Sequence, residues 1–238
     1  MKRDPPTIRA KHIGIVAVSA EGAALCYRTV CAEGAEILGR HAHPEVSMHT
    51  FPMSEYMRDV DAKGWGGAAE LLLASAKKLV ASGAEILISP DNTIHEALDL
   101  VRDRAPARWL HIAEEVAAVA EERGFKRLGI LGTRYLMEGP VYRTKLAARG
   151  IAFEIPGPGE RERINAIIFD DLVYGRFHGH DRDYFSSVIR DLGNRGCDAV
   201  VLGCTEIPLI ISDADSSLPT LPSTQILARA ALREATRA

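Results

Sequence analysis

The sequence predicts an α/β protein of two pseudo-symmetric lobes, each a parallel sheet flanked by helices, with the site in the cleft between them. Two internal matches and one alternation carry this prediction. Gly83-Ala-Glu-Ile-Leu-Ile-Ser-Pro-Asp91-Asn-Thr93 aligns with Gly196-Cys-Asp-Ala-Val-Val-Leu-Gly-Cys204-Thr-Glu206, which puts Asp91 and Cys204 at equivalent places 113 residues apart. Lys11-His-Ile-Gly-Ile-Val-Ala-Val-Ser19 resembles Lys126-Arg-Leu-Gly-Ile-Leu-Gly-Thr133 at an offset of 115. Short apolar runs alternate throughout with segments of helical apolar spacing, the pattern of parallel sheets covered on both faces.

The elements follow in order. Residues 12–18 are an apolar run that predicts a buried strand, followed by a helix over about 21–32. A second short strand is expected at 45–49, leading into an irregular segment over 50–57. Helical spacing over 66–82 stops at Gly83, and residues 84–89 read as a strand. A helix starting near Thr93, a strand at 108–111 and a helix at 114–123 complete the first unit. After Gly124 the order repeats: strand 128–131, helix 138–149, strand 151–155, helices 160–174 and 181–195, strand 198–202, and a final helix after 219–221. Residues 1–112 are assigned to the first lobe and 113–222 to the second. The helix over 223–238 is expected to pack back on the first lobe.

Composition narrows the function. At 238 residues the chain can bury roughly 70% of its unfolded surface. A net charge of −3 gives no basic excess, so no nucleic-acid partner is expected. The apolar runs are too short to span a bilayer, and Met1-Lys-Arg-Asp-Pro-Pro6 lacks the apolar core of a signal peptide. The four cysteines form no C-x-x-C pair, which suits reduced thiols in a cytoplasmic protein. No glycine-rich phosphate motif is present, so nucleotide binding is disfavoured. His41-Ala-His43 and His178-Gly-His180-Asp181 lack the spacing of a zinc helix motif and are read as surface loops, with no metal expected.

The candidate chemistry lies where sheets of this kind bind ligands, beyond the carboxyl ends of the strands. Cys204 directly follows Val200-Val-Leu-Gly203. A thiol there, facing backbone N–H groups of a turn, can have a lowered pKa and act as a base, or it can be a small buried hydrophobe. Asp91 is a weaker base unless burial raises its pKa, and it is also a suitable helix cap. Asn92, Thr93 and Thr205 begin turns or helices, and Ser19 and Thr133 occupy matching places after the first strand of each copy. These hydroxyl, amide and N–H donors could hold a carboxylate, or serve only as local caps. Glu206 could orient a neighbour, contact a substrate amine or bond its own turn. His95, one helical turn after Asp91, is a candidate partner for it.

Val201-Leu-Gly-Cys-Thr-Glu-Ile207, Leu128-Gly-Ile-Leu-Gly-Thr-Arg-Tyr-Leu-Met-Glu138 and Ser19-Ala-Glu21 with Tyr27-Arg28 resemble signatures of the aspartate/glutamate racemase superfamily. The resemblance runs in order over roughly residues 12–226. It implies a cofactor-independent enzyme, using no pyridoxal phosphate, in which two cysteines face the two sides of a substrate α-carbon. Cys204 corresponds to the second cysteine. The first is replaced: where the family has Cys-Asn-Thr, this chain has Asp91-Asn92-Thr93. The expectation is a racemase or epimerase of a small, aspartate- or glutamate-like amino acid using Cys204 and Asp91. Asn92, Thr93, Thr205, Ser19, Thr133 and Glu206 would contact the substrate, and a homodimer is implied. The alternative is a one-base decarboxylase, or a cis-trans isomerase, of a small dicarboxylate. Residues 47–56, where a cation for a distal carboxylate would be sought, contain no Arg or Lys; His49 and Ser54 stand there, which puts strict aspartate or glutamate specificity in doubt.

Overall fold

A computed structural model describes residues 9–62 and 64–237. The first half runs β1 (Ile13–Ala17), α1 (Ala20–Leu38), β2 (Val46–Thr50), α2 (Met53–Asp61), α3 (Gly66–Ala81), β3 (Ile86–Ile88), α4 (His95–Asp99) and β4 (Arg108–Trp109). The second runs α5 (Ile112–Glu122), β5 (Arg127–Leu131), α6 (Arg134–Glu138), α7 (Pro140–Ala147), β6 (Ala152–Glu154), α8 (Pro158–Asp170), α9 (Gly179–Asn194), β7 (Ala199–Leu202), β8 (Thr220–Pro222) and α10 (Ser223–Ala235). Single 3₁₀ turns lie at 102–104, 172–174, 207–209 and 213–215.

The duplication is explicit in the topology. One sheet has the order β2-β1-β3-β4 and the other β6-β5-β7-β8, with every neighbouring pair parallel. β1 and β5 are thus equivalent, as are β3 and β7. The central strands are buried along their length, as their uninterrupted Ile, Val and Leu content requires. Equivalent glycines, Gly14 and Gly129, sit where a Cβ would come within 2.8 Å of Ala84 Cβ and Leu192 Cδ1 respectively. Each lets a covering element lie close on its sheet.

Four clusters make the core. The buried faces of α9 and of β7 pack together with α8 in the second half, around Ile168, Phe185, Leu192 and Leu202. In the first half, α3 covers one face of the sheet through Leu72, Leu73 and Leu79. The other face carries α1 and, from the end of the chain, Leu227, Ala228 and Ala231 of α10. Lys11 N–H donates to the Ala235 carbonyl at 2.8 Å, and Arg229 forks onto the Glu33 carboxylate of α1. α10 therefore packs on the first half, and it also meets α5. Among the described residues no helix is long and apolar enough to cross a membrane.

Several elements differ from the sequence reading. α1 continues six residues past Ala32, to Leu38, where Gly39 at φ 101° accommodates the exit. The helix expected over 138–149 is α7, which starts at Pro140, a proline at its first position, and ends at Ala147; a separate short helix, α6, precedes it over Arg134–Glu138. The 160–174 helix ends at Asp170 and continues only as a 3₁₀ turn. Residues 220–222 are a strand, β8. The segment read as irregular over 50–57 contains the start of α2, in which Met53, Tyr56, Met57 and Val60 follow the i, i+3, i+4, i+7 spacing of one helix face.

Candidate active site

The strand ends of the two sheets converge on one small, partly open cavity. Asp91, just past β3, and Cys204, just past β7, both line it. So do Ser19 and Thr133, the residues that cap α1 and α6, together with Thr93 and Glu206. Six of the eight residues singled out in the sequence therefore share a single void.

Cys204 is 8% exposed, and its Sγ donates to Glu206 Oε2 at 2.9 Å. Burial first, and then the charge of Glu206, push the thiol well above its ordinary pKa. This corrects the expected lowering: a carboxylate two residues away, rather than turn amides alone, faces the sulfur. Cys204 rests as a neutral thiol. The preceding Gly203 is required by close approach, since a Cβ there would sit 2.7 Å from the Leu131 carbonyl, to which Gly203 N–H also donates at 2.7 Å.

Asp91 has the opposite resting state. Its Oδ1 accepts from Ile94 N–H at 3.1 Å, so the carboxyl caps the turn into α4 while its accessible surface opens on the cavity. Burial raises its pKa to about 6 against the opposing Ile94 hydrogen bond, and Glu206 adds to the rise. Near neutral pH the pair is a carboxylate and a thiol.

Glu206 links the groups around Cys204. Its Oε2 accepts from Cys204 and, at 2.6 Å, from Thr205 Oγ1, which also meets Ser19 Oγ at 3.2 Å across the two halves. Its Oε1 is buried without a hydrogen-bond partner. Thr93 Oγ1 and Thr133 Oγ1 lie 2.9 Å apart, a second bridge between the halves at the cavity.

Two predicted contacts lie outside the cavity lining. Asn92 is buried with its amide occupied: Tyr142 OH donates to Oδ1 at 2.7 Å, and Nδ2 donates to Ser223 Oγ at 2.9 Å. Ser223 in turn donates to the Leu202 carbonyl at 2.9 Å. Asn92 thus ties the Asp91 loop to α7, α10 and β7. Thr205 packs on the first turn of α1, where a Cβ on Gly22 would come within 2.3 Å of its Cγ2. His95 does not approach Asp91 through any hydrogen bond. Its Nε2 bonds the Ser89 carbonyl at 3.0 Å and its ring lies against His111, with centroids 4.4 Å apart. His41 and His43 are exposed on a loop, as expected. His178 caps α9 and His180 lies in its first turn rather than in a loop, and His178, Asp171 and Asp181 gather with ligand atoms within 4.8 Å of one another.

The other wall of the cavity escaped the sequence reading. Met53, Tyr56, Met57 and Val60 from α2 and Ile168 and Phe169 from α8 all line the cavity. The apolar stripe of α2 was legible at its spacing.

The Asp/Glu/Hydantoin racemase family model matches residues 13–231, nearly the whole chain. The chain belongs to the Asp/Glu/Hydantoin racemase family. The family is one of racemases, enzymes of the isomerase class. A crystal structure from Yersinia pestis, provisionally described as an Asp/Glu racemase, is 31% identical to the chain. It superposes with a TM-score of 0.87, over 95% of this chain and 100% of that one. An aspartate racemase homologue from Pyrococcus horikoshii is 27% identical, with a TM-score of 0.83 over 95% and 100%. Glutamate racemase from Francisella tularensis, in complex with D-glutamate, shares the fold at 12% identity. Its TM-score is 0.67 over 93% of this chain and 80% of that one.

Proposed function

We propose that the chain racemises or epimerises a small amino acid at the α-carbon, without pyridoxal phosphate, with Asp91 and Cys204 as the two proton-transferring groups. The observation that carries this is that equivalent residues of a duplicated unit, one a carboxylate and one a thiol at rest, line the same cavity. In one direction Asp91 takes the α-proton from one face while Cys204 gives its thiol proton to the other. Asp91 is left neutral and Cys204 a thiolate, and proton exchange with water restores both. In the reverse direction the thiolate is the base and the carboxylic acid the donor. General acid–base transfer of this kind is worth typically 10²–10⁴-fold.

The remaining polar groups fit an α-amino acid. Ser19, Thr93 and Thr133 offer hydroxyls for the carboxylate and for the charge that develops on it. In this reading the unpartnered Glu206 Oε1 accepts from the substrate ammonium. An ammonium there would offset the carboxylate that holds the Cys204 proton, and so ease thiolate formation. A dicarboxylate would instead bring two negative charges to a cavity whose charged lining groups are Asp91 and Glu206. That charge balance supports the amino-acid reading over a decarboxylase or cis-trans isomerase. The test is incubation of the protein with a broad amino-acid panel in D₂O, read by mass spectrometry and chiral chromatography. α-Deuteration with inversion is expected for at least one substrate; no exchange with any of them sinks the proposal.

A further inference from the structure

The family's name and the Francisella complex point to acidic amino acids, whose second carboxylate has to be neutralised when it leaves water. The cavity offers nothing to do this. Among the described residues its lining contains no Lys and no Arg, and both charged side chains in it are carboxylates. Polar groups gather at the strand ends, where the α-carbon substituents would be held. The rest of the lining is apolar or aromatic, with Met53, Tyr56, Met57 and Val60 from α2, Ile168 and Phe169 from α8, and Val18, Ile94, Tyr135 and Val173 beside them. The Tyr56 hydroxyl is buried without a hydrogen-bond partner, and burial pushes its pKa up to about 12, so it stays a neutral phenol and brings no counter-charge.

The neighbouring cations lie outside the lining. Arg58 lies on the exposed side of α2. Lys78 Nζ sits 4.5 Å above the Phe51 ring and 2.9 Å from His49 Nε2. Arg134 is exposed, its guanidinium 5.7 Å from the Tyr135 ring centroid. The apolar wall also has room to continue. A second, open groove shares Val18, Ser19, Met53, Val173 and Glu206 with the cavity and is lined further by Tyr27, Met48 and Phe51. Methionine walls adapt to side chains of varied shape.

Building on the two-base reading above, we infer that the substrate carries an uncharged, apolar side chain, held by the α2 stripe and α8. Aspartate and glutamate are excluded because their distal carboxylates would be buried without a counter-charge and beside two further acids.

The experiment measures kcat/KM for α-deuteration with leucine, methionine and phenylalanine against aspartate and glutamate. It also measures binding of each by calorimetry. The apolar group should exceed the acidic group by at least about 100-fold in kcat/KM, a ratio that an unpaired buried charge readily produces. Met57→Arg and, independently, Val173→Arg should narrow that ratio by at least about tenfold. Arg134→Gln should leave it unchanged. Equal or better turnover of aspartate or glutamate overturns the inference and leaves the racemase reading intact, as does a collapse of the ratio in Arg134→Gln. If nothing turns over, the racemase reading falls and calorimetry alone decides the pocket. Binding of apolar but not acidic amino acids upholds the inference, and any other binding pattern overturns it.

Discussion

Replacing Asp91 by Asn should make the protein more stable and at the same time disable it. The carboxyl ionises at about 6 in the folded protein against an ordinary 3.8, chiefly because it is buried. At 1.36 kcal/mol per tenfold change, keeping it ionised at pH 8 destabilises the fold by about 3 kcal/mol. The folded pKa is the higher one, so the folded state binds the proton more tightly. The penalty is complete above pH 6, shrinks as the pH falls, and is mostly gone by about pH 4. Asn retains an oxygen that can accept from Ile94 N–H, so the turn into α4 keeps its cap. Thermal or urea unfolding should therefore find Asp91→Asn more stable than wild type by about 2–3 kcal/mol at pH 8, which is roughly 4–12 °C for a chain of this size. The gap should narrow as the pH is lowered, and racemisation should fall by a factor of about 10² or more. A variant no more stable at pH 8, or one whose advantage does not depend on pH, would refute the claim that a buried, cavity-facing carboxylate is held ionised there.

Other outcomes follow from the same geometry. In the direction where Asp91 is the base, kcat/KM should rise with pH through about 6 as Asp91 ionises, with no fall near 8 because Cys204 keeps its proton; a pH–rate profile in each direction checks this. Glu206→Gln should bring the Cys204 pKa down toward its ordinary value, seen as faster iodoacetamide alkylation at pH 8, and should raise KM for amino acids by about tenfold or more. Gly22→Ala drives a Cβ to within 2.3 Å of Thr205 and should destabilise the protein by about 1–3 kcal/mol in chemical unfolding. Asn92→Ala strands the Tyr142 hydroxyl and should destabilise it by about 1–3 kcal/mol by the same assay.

The sequence made the fold legible because the duplication repeats chemistry and not only composition. Ser19 and Thr133 both follow a buried strand as helix caps, and Asp91 and Cys204 both end one, so the cavity could be anticipated from spacing alone. What the spacing could not supply was direction. Asn92 and Thr205 stand beside the two reactive residues, yet successive residues in a tight turn point different ways. One is taken up by Tyr142 and Ser223, the other by α1. His95 follows Asp91 by one turn but is drawn to the Ser89 carbonyl and His111, because a buried imidazole takes whichever acceptor lies within reach. The thiol's raised pKa comes first from burial and then from where the Glu206 carboxylate points, which the Cys-Thr-Glu order leaves open. The α2 stripe is visible in the order of residues, but its nine-residue helix, beginning after Pro52, is short for a periodic signal.

The central claim is that Asp91 and Cys204 serve opposite faces of one carbon, and single-face exchange tests it most directly. Each enantiomer of a substrate should be incubated in D₂O with Cys204→Ala and, separately, with Asp91→Asn. Each variant should deuterate one enantiomer without inverting it, and the two variants should choose opposite enantiomers. Exchange of the same enantiomer by both, or undiminished inversion in either, would contradict it.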